Sequence, residues 1–267
     1  MTIASRQNPL VKQLRQLHRA KGRREQNRFL LEGTHLLETA CGVNCSLDTA
    51  CYTAEWRERY PQLWQEVAGR AKRLEMVTPA VLEAIATTVH PDGIVATANR
   101  ERPTPQLDGL RLGLLLESLQ DPGNLGTILR TAVATGVEGV WLSEDSVDPD
   151  SPKVLRASAG AWLHLAIATC PNLSETLRAA QVRGIQVIAT SPQARESYWD
   201  LDWTAPTLIL LGNEGAGLSP ELRLLADQQV SIPVDDKVES LNVAIAAALL
   251  LYEAQRQRRS DSDLRVG

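Results

Sequence analysis

Residues 207–219 read Thr207-Leu-Ile-Leu-Leu211-Gly212-Asn213-Glu214-Gly215-Ala216-Gly217-Leu218-Ser219, and Pro220 follows. The first five are uninterrupted by polar alternation, as in a short strand buried on both faces. The loop after them holds three glycines in six residues, so its N–H and C=O groups are open to a ligand without side-chain obstruction. Ser219-Pro220 then sets a capping hydroxyl before a proline at the first helical position, where the missing N–H costs nothing. The same order of strand, loop and helix recurs on both sides. Candidate strands are Leu110–Leu116, Gly139–Leu142, Leu163–Ala168, Ile185–Thr190, Thr207–Leu211 and Gln229–Ile232. Ser151-Pro152 opens a second capped helix, and Asn172 with Glu175 forms a capping box for Leu173–Arg183. This alternation predicts an α/β fold, with a mainly parallel sheet and helices on both faces.

The first hundred residues read as a smaller α/β unit. After a basic helix come a strand at Phe29–Leu31, a helix at Thr34–Ala40, a strand near Leu47–Thr53, helices at Pro61–Lys72 and Pro79–Ala86, and a closing strand at Gly93–Ala98. Residues 99–109 contain two prolines, several charges and little apolar content, the composition of a linker. The expected division is 1–98, a linker at 99–109, a larger domain at 110–260 and a tail at 261–267.

With 267 residues, 43% hydrophobic and 22% charged, the chain has an ordinary globular composition. Its longest apolar run, Val243 to Tyr252, is about half the ~20 residues a membrane helix needs. With no secretory signal pattern in view, a cytoplasmic protein is expected. Four cysteines make no disulfide framework in a chain this long. His35, Cys41, Cys45 and Cys51 cluster, but without the paired knuckles of a structural zinc site, so no metal is expected.

The net charge of −4 hides an asymmetry. Residues 1–30 carry Arg6, Lys12, Arg15, Arg19, Lys21, Arg23, Arg24 and Arg28 against Glu25, a local charge of +7, leaving −11 on the remainder. Such a block suits the phosphate-facing side of a polyanion binder. It equally suits a solvated amphipathic helix, with Leu10, Leu14 and Leu17 on the buried face.

No phosphate loop, H-E-x-x-H helix, G-x-S-x-G elbow or G-x-G-x-x-G fingerprint is present. Three other stretches fall at the carboxyl ends of strands, where such a sheet places ligands. Asp121-Pro-Gly-Asn124-Leu-Gly126-Thr-Ile-Leu-Arg130 is either an Asn cap with a surface arginine or a recognition turn. The glycine loop embeds Asn213 and Glu214, poor core residues and good recognition groups. Ile232-Pro-Val-Asp-Asp-Lys-Val-Glu-Ser240-Leu-Asn242-Val-Ala leads into the long apolar helix. There Ser240 is an N-cap, and Ser240 and Asn242 stand where free N–H groups attract electron-rich ligands.

In combination and order, N-L-G-x-x-x-R at 124–130, L-G-N-E-G-x-G-L-S at 211–219 and I-P-x-x-x-x-x-E-S-L-N-V-A at 232–244 resemble the three motifs of the SpoU/TrmH family of RNA 2′-O-ribose methyltransferases. Asp150–Gly160 resembles the family's intervening loop and helix. Residues 1–100 more loosely resemble its N-terminal RNA-binding domain, through Arg28-Phe-Leu-Leu-Glu32-Gly33. Val234 stands where the third motif often has methionine.

The resemblance implies a C-terminal trefoil knot, a homodimer formed through it, and S-adenosylmethionine bound around Thr190, Leu211, Gly212, Asn213, Gly217, Ile232 and Leu241. It maps the catalytic positions onto Asn124, Arg130, Glu214, Ser240 and Asn242. Because a guanidinium is very hard to deprotonate in a protein, Arg130 fits a phosphate grip and charge stabiliser better than a general base. The proton acceptor is left open among Arg130, a phosphate and water. Lys12, Arg15, Arg23, Arg24, Arg28, Lys153 and Arg156 are the expected RNA contacts. The implied substrate is structured RNA, with rRNA ahead of tRNA. A non-catalytic RNA-binding protein on the same fold is the other alternative.

Overall fold

The computed structural model describes residues 2–101 and 103–264. It divides into two compact units, Met1–Glu101 with Asp148–His164, and Arg102–Val147 with Leu165–Gly267.

The first unit runs α1 (Pro9–Gln16), α2 (Ala20–Gln26), β1 (Arg28–Glu32), α3 (Thr34–Gly42), β2 (Leu47–Tyr52), α4 (Ala54–Arg59), α5 (Pro61–Arg70), β3 (Ala71–Met76), α6 (Pro79–Ile85) and β4 (Ile94–Asn99). Its sheet order is β1-β4-β2-β3. The basic segment is two helices rather than one. Arg23 explains the break, because its guanidinium turns inward and donates to the Leu17 and His18 carbonyls at 2.9 and 3.2 Å, satisfying acceptors that the end of α1 leaves open. Leu10, Leu14 and Leu17 are buried against Leu30, Val81, Leu82 and Ile85. Strand β3 occupies residues partly expected as the end of a helix. As a sheet edge bearing Lys72, Arg73 and Glu75, it lacks the apolar alternation that marks a strand.

Residues 148–164, expected inside the larger domain, belong instead to this first unit. They carry α8 (Pro152–Ala157) and a 3₁₀ turn at Ala161–His164. Trp162 is buried with its ring 4.8 Å from Phe29, so the strand expected at Leu163–Ala168 begins only at Ile167. Asp148 accepts from Arg23 at 2.7 and 2.9 Å and pairs with Arg100, which also pairs with Asp150. Arg23 is 3% exposed. Asp148→Ala would leave that guanidinium buried without its carboxylate, a loss of about 3–5 kcal/mol in denaturant unfolding. Arg24→Ala, on the exposed face, should change stability by less than about 0.5 kcal/mol.

The second unit runs β5 (Leu112–Leu116), α7 (Pro122–Thr135), β6 (Gly139–Ser143), β7 (Ile167–Cys170), α9 (Leu173–Val182), β8 (Gln186–Thr190), β9 (Glu196–Ser197), β10 (Thr207–Leu211), α10 (Pro220–Leu225), β11 (Gln228–Ser231) and α11 (Val243–Leu264). Seven strands pair in the order β7-β6-β5-β10-β8-β11-β9, every neighbour parallel. Strands β5 and β10 are buried along their whole length. Leu115, Val187, Ala189, Leu208 and Leu210 pack with Leu177, Ala180, Leu218 and Leu222 of the covering segments. Helix α11 continues to Leu264, through most of the expected tail, whose residues 265–267 lie outside the described residues. Among the described residues no helix is long and apolar enough to cross a membrane.

Candidate active site

The site forms where β5, β8, β10 and β11 end. Helix α7 is capped by Asp121, whose carboxylate accepts from the Asn124 N–H at 2.8 Å. Asn124 is therefore not the cap, and its side chain is free for other partners. Its amide donates to Glu214 Oε1 at 3.1 Å, and its carbonyl accepts from the Asn242 amide at 2.9 Å. Glu214 also accepts from the Gln120 and Asp121 N–H groups at 3.2 and 3.1 Å. Asn242, rather than Ser240, caps α11, its Oδ1 accepting from the Ala244 and Ile245 N–H groups at 2.9 and 3.4 Å. Asn124, Glu214 and Asn242, 118 residues apart at the extremes, thus form one network.

Partial burial opposes ionisation of Glu214, but the hydrogen bonds it accepts from its own N–H, Asp121, Asn124 and Gln120 outweigh that and hold its carboxyl below the ordinary value. A depressed carboxyl stabilises the folded loop above the ordinary glutamate range, and the effect is lost as pH falls through the lowered value. Amide-exchange protection at Gln120 and Asp121 should therefore stay level down to the usual ~4.3 and fall only below it.

Asn213 shapes the glycine loop. Its side chain donates to the Ser118 carbonyl at 2.8 Å and accepts from the Gly215 and Ala216 N–H groups, each at 2.9 Å. Its backbone exchanges hydrogen bonds with Gly217, which adopts φ +69°, a left-handed conformation natural to glycine. At Gly212 the constraint is space. A Cβ there would lie 2.2 Å from the Gly217 carbonyl carbon and the Leu218 nitrogen.

Beside this loop lies a cavity of about 350 Å³. Thr190, Leu211, Gly212, Asn213, Gly217, Ile232 and Leu241 all line it, joined by Glu214 and Ser240. Ser191–Gln193 and Arg223 line it too, and nothing in their sequence pattern singles them out, whereas Glu239, also in the lining, is the acidic residue of the third motif. Its volume falls within the ~300–1,000 Å³ of small-ligand pockets. Leu211, Leu218, Val230 and Ile232 give an apolar wall for a purine plane, and the loop backbone offers groups to read its edge. These residues fit S-adenosylmethionine. Arg130 is exposed on α7 and makes no ion pair or hydrogen bond among the described residues.

The expected RNA contacts separate into two groups. Lys12, Arg15, Arg24 and Lys153 are exposed. Lys12 and Arg15, with Arg19 and Lys21, line a cleft of about 450 Å³ along α1 and α2. Arg23, Arg28 and Arg156 are committed elsewhere. Arg28 pairs with Asp48 at 3.0 Å, and Arg156 pairs with Glu32 at 3.0 Å and donates to Thr87 at 2.7 Å. These two, like the buried Arg23, are ion-paired within the first unit. Cys41 and Cys51 are buried, and burial first, then Glu75, pushes the Cys51 thiol up to about 12.

Residues 111–252 match the SpoU rRNA Methylase family, and residues 8–96 match the MRM3-like substrate binding domain. An uncharacterized tRNA/rRNA methyltransferase of Synechocystis is 51% identical over 96% of this chain and 94% of its own length. The 23S rRNA (guanosine(2553)-2′-O)-methyltransferase RlmP of Bacillus subtilis is 32% identical over 94% and 97%. The crystal structure of an AdoMet-bound rRNA methyltransferase from Sinorhizobium meliloti superposes with a TM-score of 0.86 at 32% identity, covering 96% of this chain and 97% of that one. Motifs, parallel sheet, loop cavity and these likenesses converge, and the chain belongs to the SpoU rRNA methylase family.

Proposed function

We propose that this chain is an RNA 2′-O-ribose methyltransferase that uses S-adenosylmethionine and acts on structured rRNA. The observation that carries the reading is the cavity of the glycine loop sharing Glu214 with the Asn124–Asn242 network. The cofactor supplies an electrophilic methyl group on a sulfonium. The loop backbone and Ile232, Leu241 and Thr190 hold it, and Glu214 locks the loop to the start of α7. Asn124, Ser240 and Asn242 orient the groups around the ribose. Arg130, unpaired and exposed, grips an RNA phosphate and stabilises the charge that develops on the 2′-oxygen. Positioning two bound reactants supplies much of the acceleration.

Lys12, Arg15, Arg19, Lys21 and Arg24 of residues 1–98 hold phosphates in this reading, as does the exposed Lys153 of α8. The 2′-hydroxyl as nucleophile demands RNA rather than DNA. Residues 110–147 and 165–260 carry catalysis in this reading. Insertion of β10 between β5 and β8, with α11 returning to pack on α7, supports a trefoil knot. A second copy of the chain covers the apolar stripe that α11 exposes at Ile245 (51%), Leu249 and Tyr252 (53%). In this reading the enzyme works in the cytoplasm.

The test uses labelled S-adenosylmethionine, the purified chain and total RNA from a strain lacking its gene. Label in one discrete rRNA as 2′-O-methylribose is the expected result. Label in tRNA would move the substrate, and cofactor binding without label in any RNA would favour a precursor or assembly intermediate as substrate. Absence of cofactor binding would support the non-catalytic RNA-binding alternative.

A further inference from the structure

The loop joining β5 to α7, Glu117–Asp121, is held more completely than a connection of its length requires. Each of its backbone N–H groups is bonded outside the loop. Glu117 donates to Leu211 O at 2.9 Å, Ser118 to Ser143 Oγ at 2.7 Å, Leu119 to Ser146 Oγ at 3.1 Å, and Gln120 and Asp121 to Glu214. The two serines of the β6 exit also bond to each other at 2.9 Å. Within this frame Ser118 has φ +54°, in the left-handed region that L side chains disfavour and glycine adopts freely. Strain of this kind persists only where the surroundings over-determine it, and it gathers at functional sites. The serine side chain compensates for that strain through its hydroxyl, which donates to Asp145 Oδ2. The Asp145 backbone carbonyl in turn accepts from the Gln120 side chain at 2.9 Å.

We infer that Ser118 and Asp145 are positioning residues, whose hydrogen bond fixes the β5–α7 loop and so aims Asn124 and Arg130 at the reacting ribose. The inference rests on the catalytic reading above. Neither side chain lines the cavity; the Ser118 carbonyl does accept from Asn213 of the glycine loop, so cofactor affinity is the readout that separates an effect through that loop from one through α7. Hydrogen bonds from Ser118 and then Ser143 hold the Asp145 carboxyl below its ordinary value, so at neutral pH it is an ionised acceptor.

A purely structural role and a positioning role diverge at Ser118→Gly. Glycine relaxes the backbone while deleting the hydroxyl. Melting temperature should hold or rise, and the Kd for S-adenosylmethionine by calorimetry should stay within about twofold. kcat should fall about tenfold, since small misplacements of reacting groups are costly to rate. Ser118→Ala should show the same loss of kcat with a lower melting temperature. Asp145→Ala should match it, and the double variant Ser118→Gly/Asp145→Ala should lose no more than either alone, as expected of one shared interaction. Wild-type turnover by Ser118→Gly would overturn the inference, as would a loss that tracks melting temperature or cofactor affinity. Failure of the wild-type chain to methylate RNA would overturn the catalytic reading itself, a separate result in the same assay.

Discussion

Gly212→Ala should weaken cofactor binding strongly while leaving the chain folded. The new Cβ would stand 2.2 Å from Gly217 C and Leu218 N and 2.3 Å from Gly217 O. All three are backbone atoms, so no side chain can rotate away, and the loop itself has to move. Overpacking of this kind costs about 1–3 kcal/mol, which is roughly five- to 150-fold in affinity if the strain falls on the loop that forms the cavity wall. Gly215→Ala is the internal control. Its Cβ would meet only Asn213 Oδ1, at 3.7 Å, an ordinary contact. Calorimetric titration with S-adenosylmethionine should separate the two variants, and thermal unfolding should show both folded. Equal, wild-type affinity in both would remove the glycine loop from the cofactor site.

What the sequence made legible is local. Ser151-Pro152, Ser219-Pro220 and the Asn172–Glu175 box declare helix starts through residues at most three apart, and each caps as its chemistry dictates. The same grammar stands at Asp121-Pro122, but Asn124 three residues on is also a good capping residue, so the local sequence offers two starts for α7. Strand β3 was hidden for a different reason, since its edge position lets charged side chains replace the apolar alternation. The roles of cations were least legible. Arg23 counts as one more positive charge in a basic segment, yet its partner Asp148 is 125 residues away. Exposure of Arg24 and burial of Arg23 follow from packing between distant segments, which charge counting does not see. The site shows the same division. The residues around the cavity come from motifs at strand ends, whereas the bond from Glu214 to Asn124 spans 90 residues and exists only once β5 and β10 lie side by side.

Arg130→Ala and Arg130→Lys should both lose most methyl transfer while binding S-adenosylmethionine normally. Affinity should hold because Arg130 does not line the cavity. Turnover should fall by ~10²–10³, the usual effect of removing one preorganised donor from a developing anion. Lysine keeps the charge but offers a point ammonium in place of a planar fork, so it cannot reproduce a bidentate grip on phosphate and oxygen. The pH dependence of Arg130→Lys separates the two roles open to this residue. An ammonium titrates near ~10.4, far more readily than a guanidinium. If position 130 takes the proton of the 2′-hydroxyl, the lysine variant should recover steeply as pH rises toward that value. If it stabilises charge, turnover should stay low and flat, then decline further as the ammonium is lost. The second profile is expected. A rising one would assign the proton to Arg130, and near-normal turnover in Arg130→Ala would eliminate both roles.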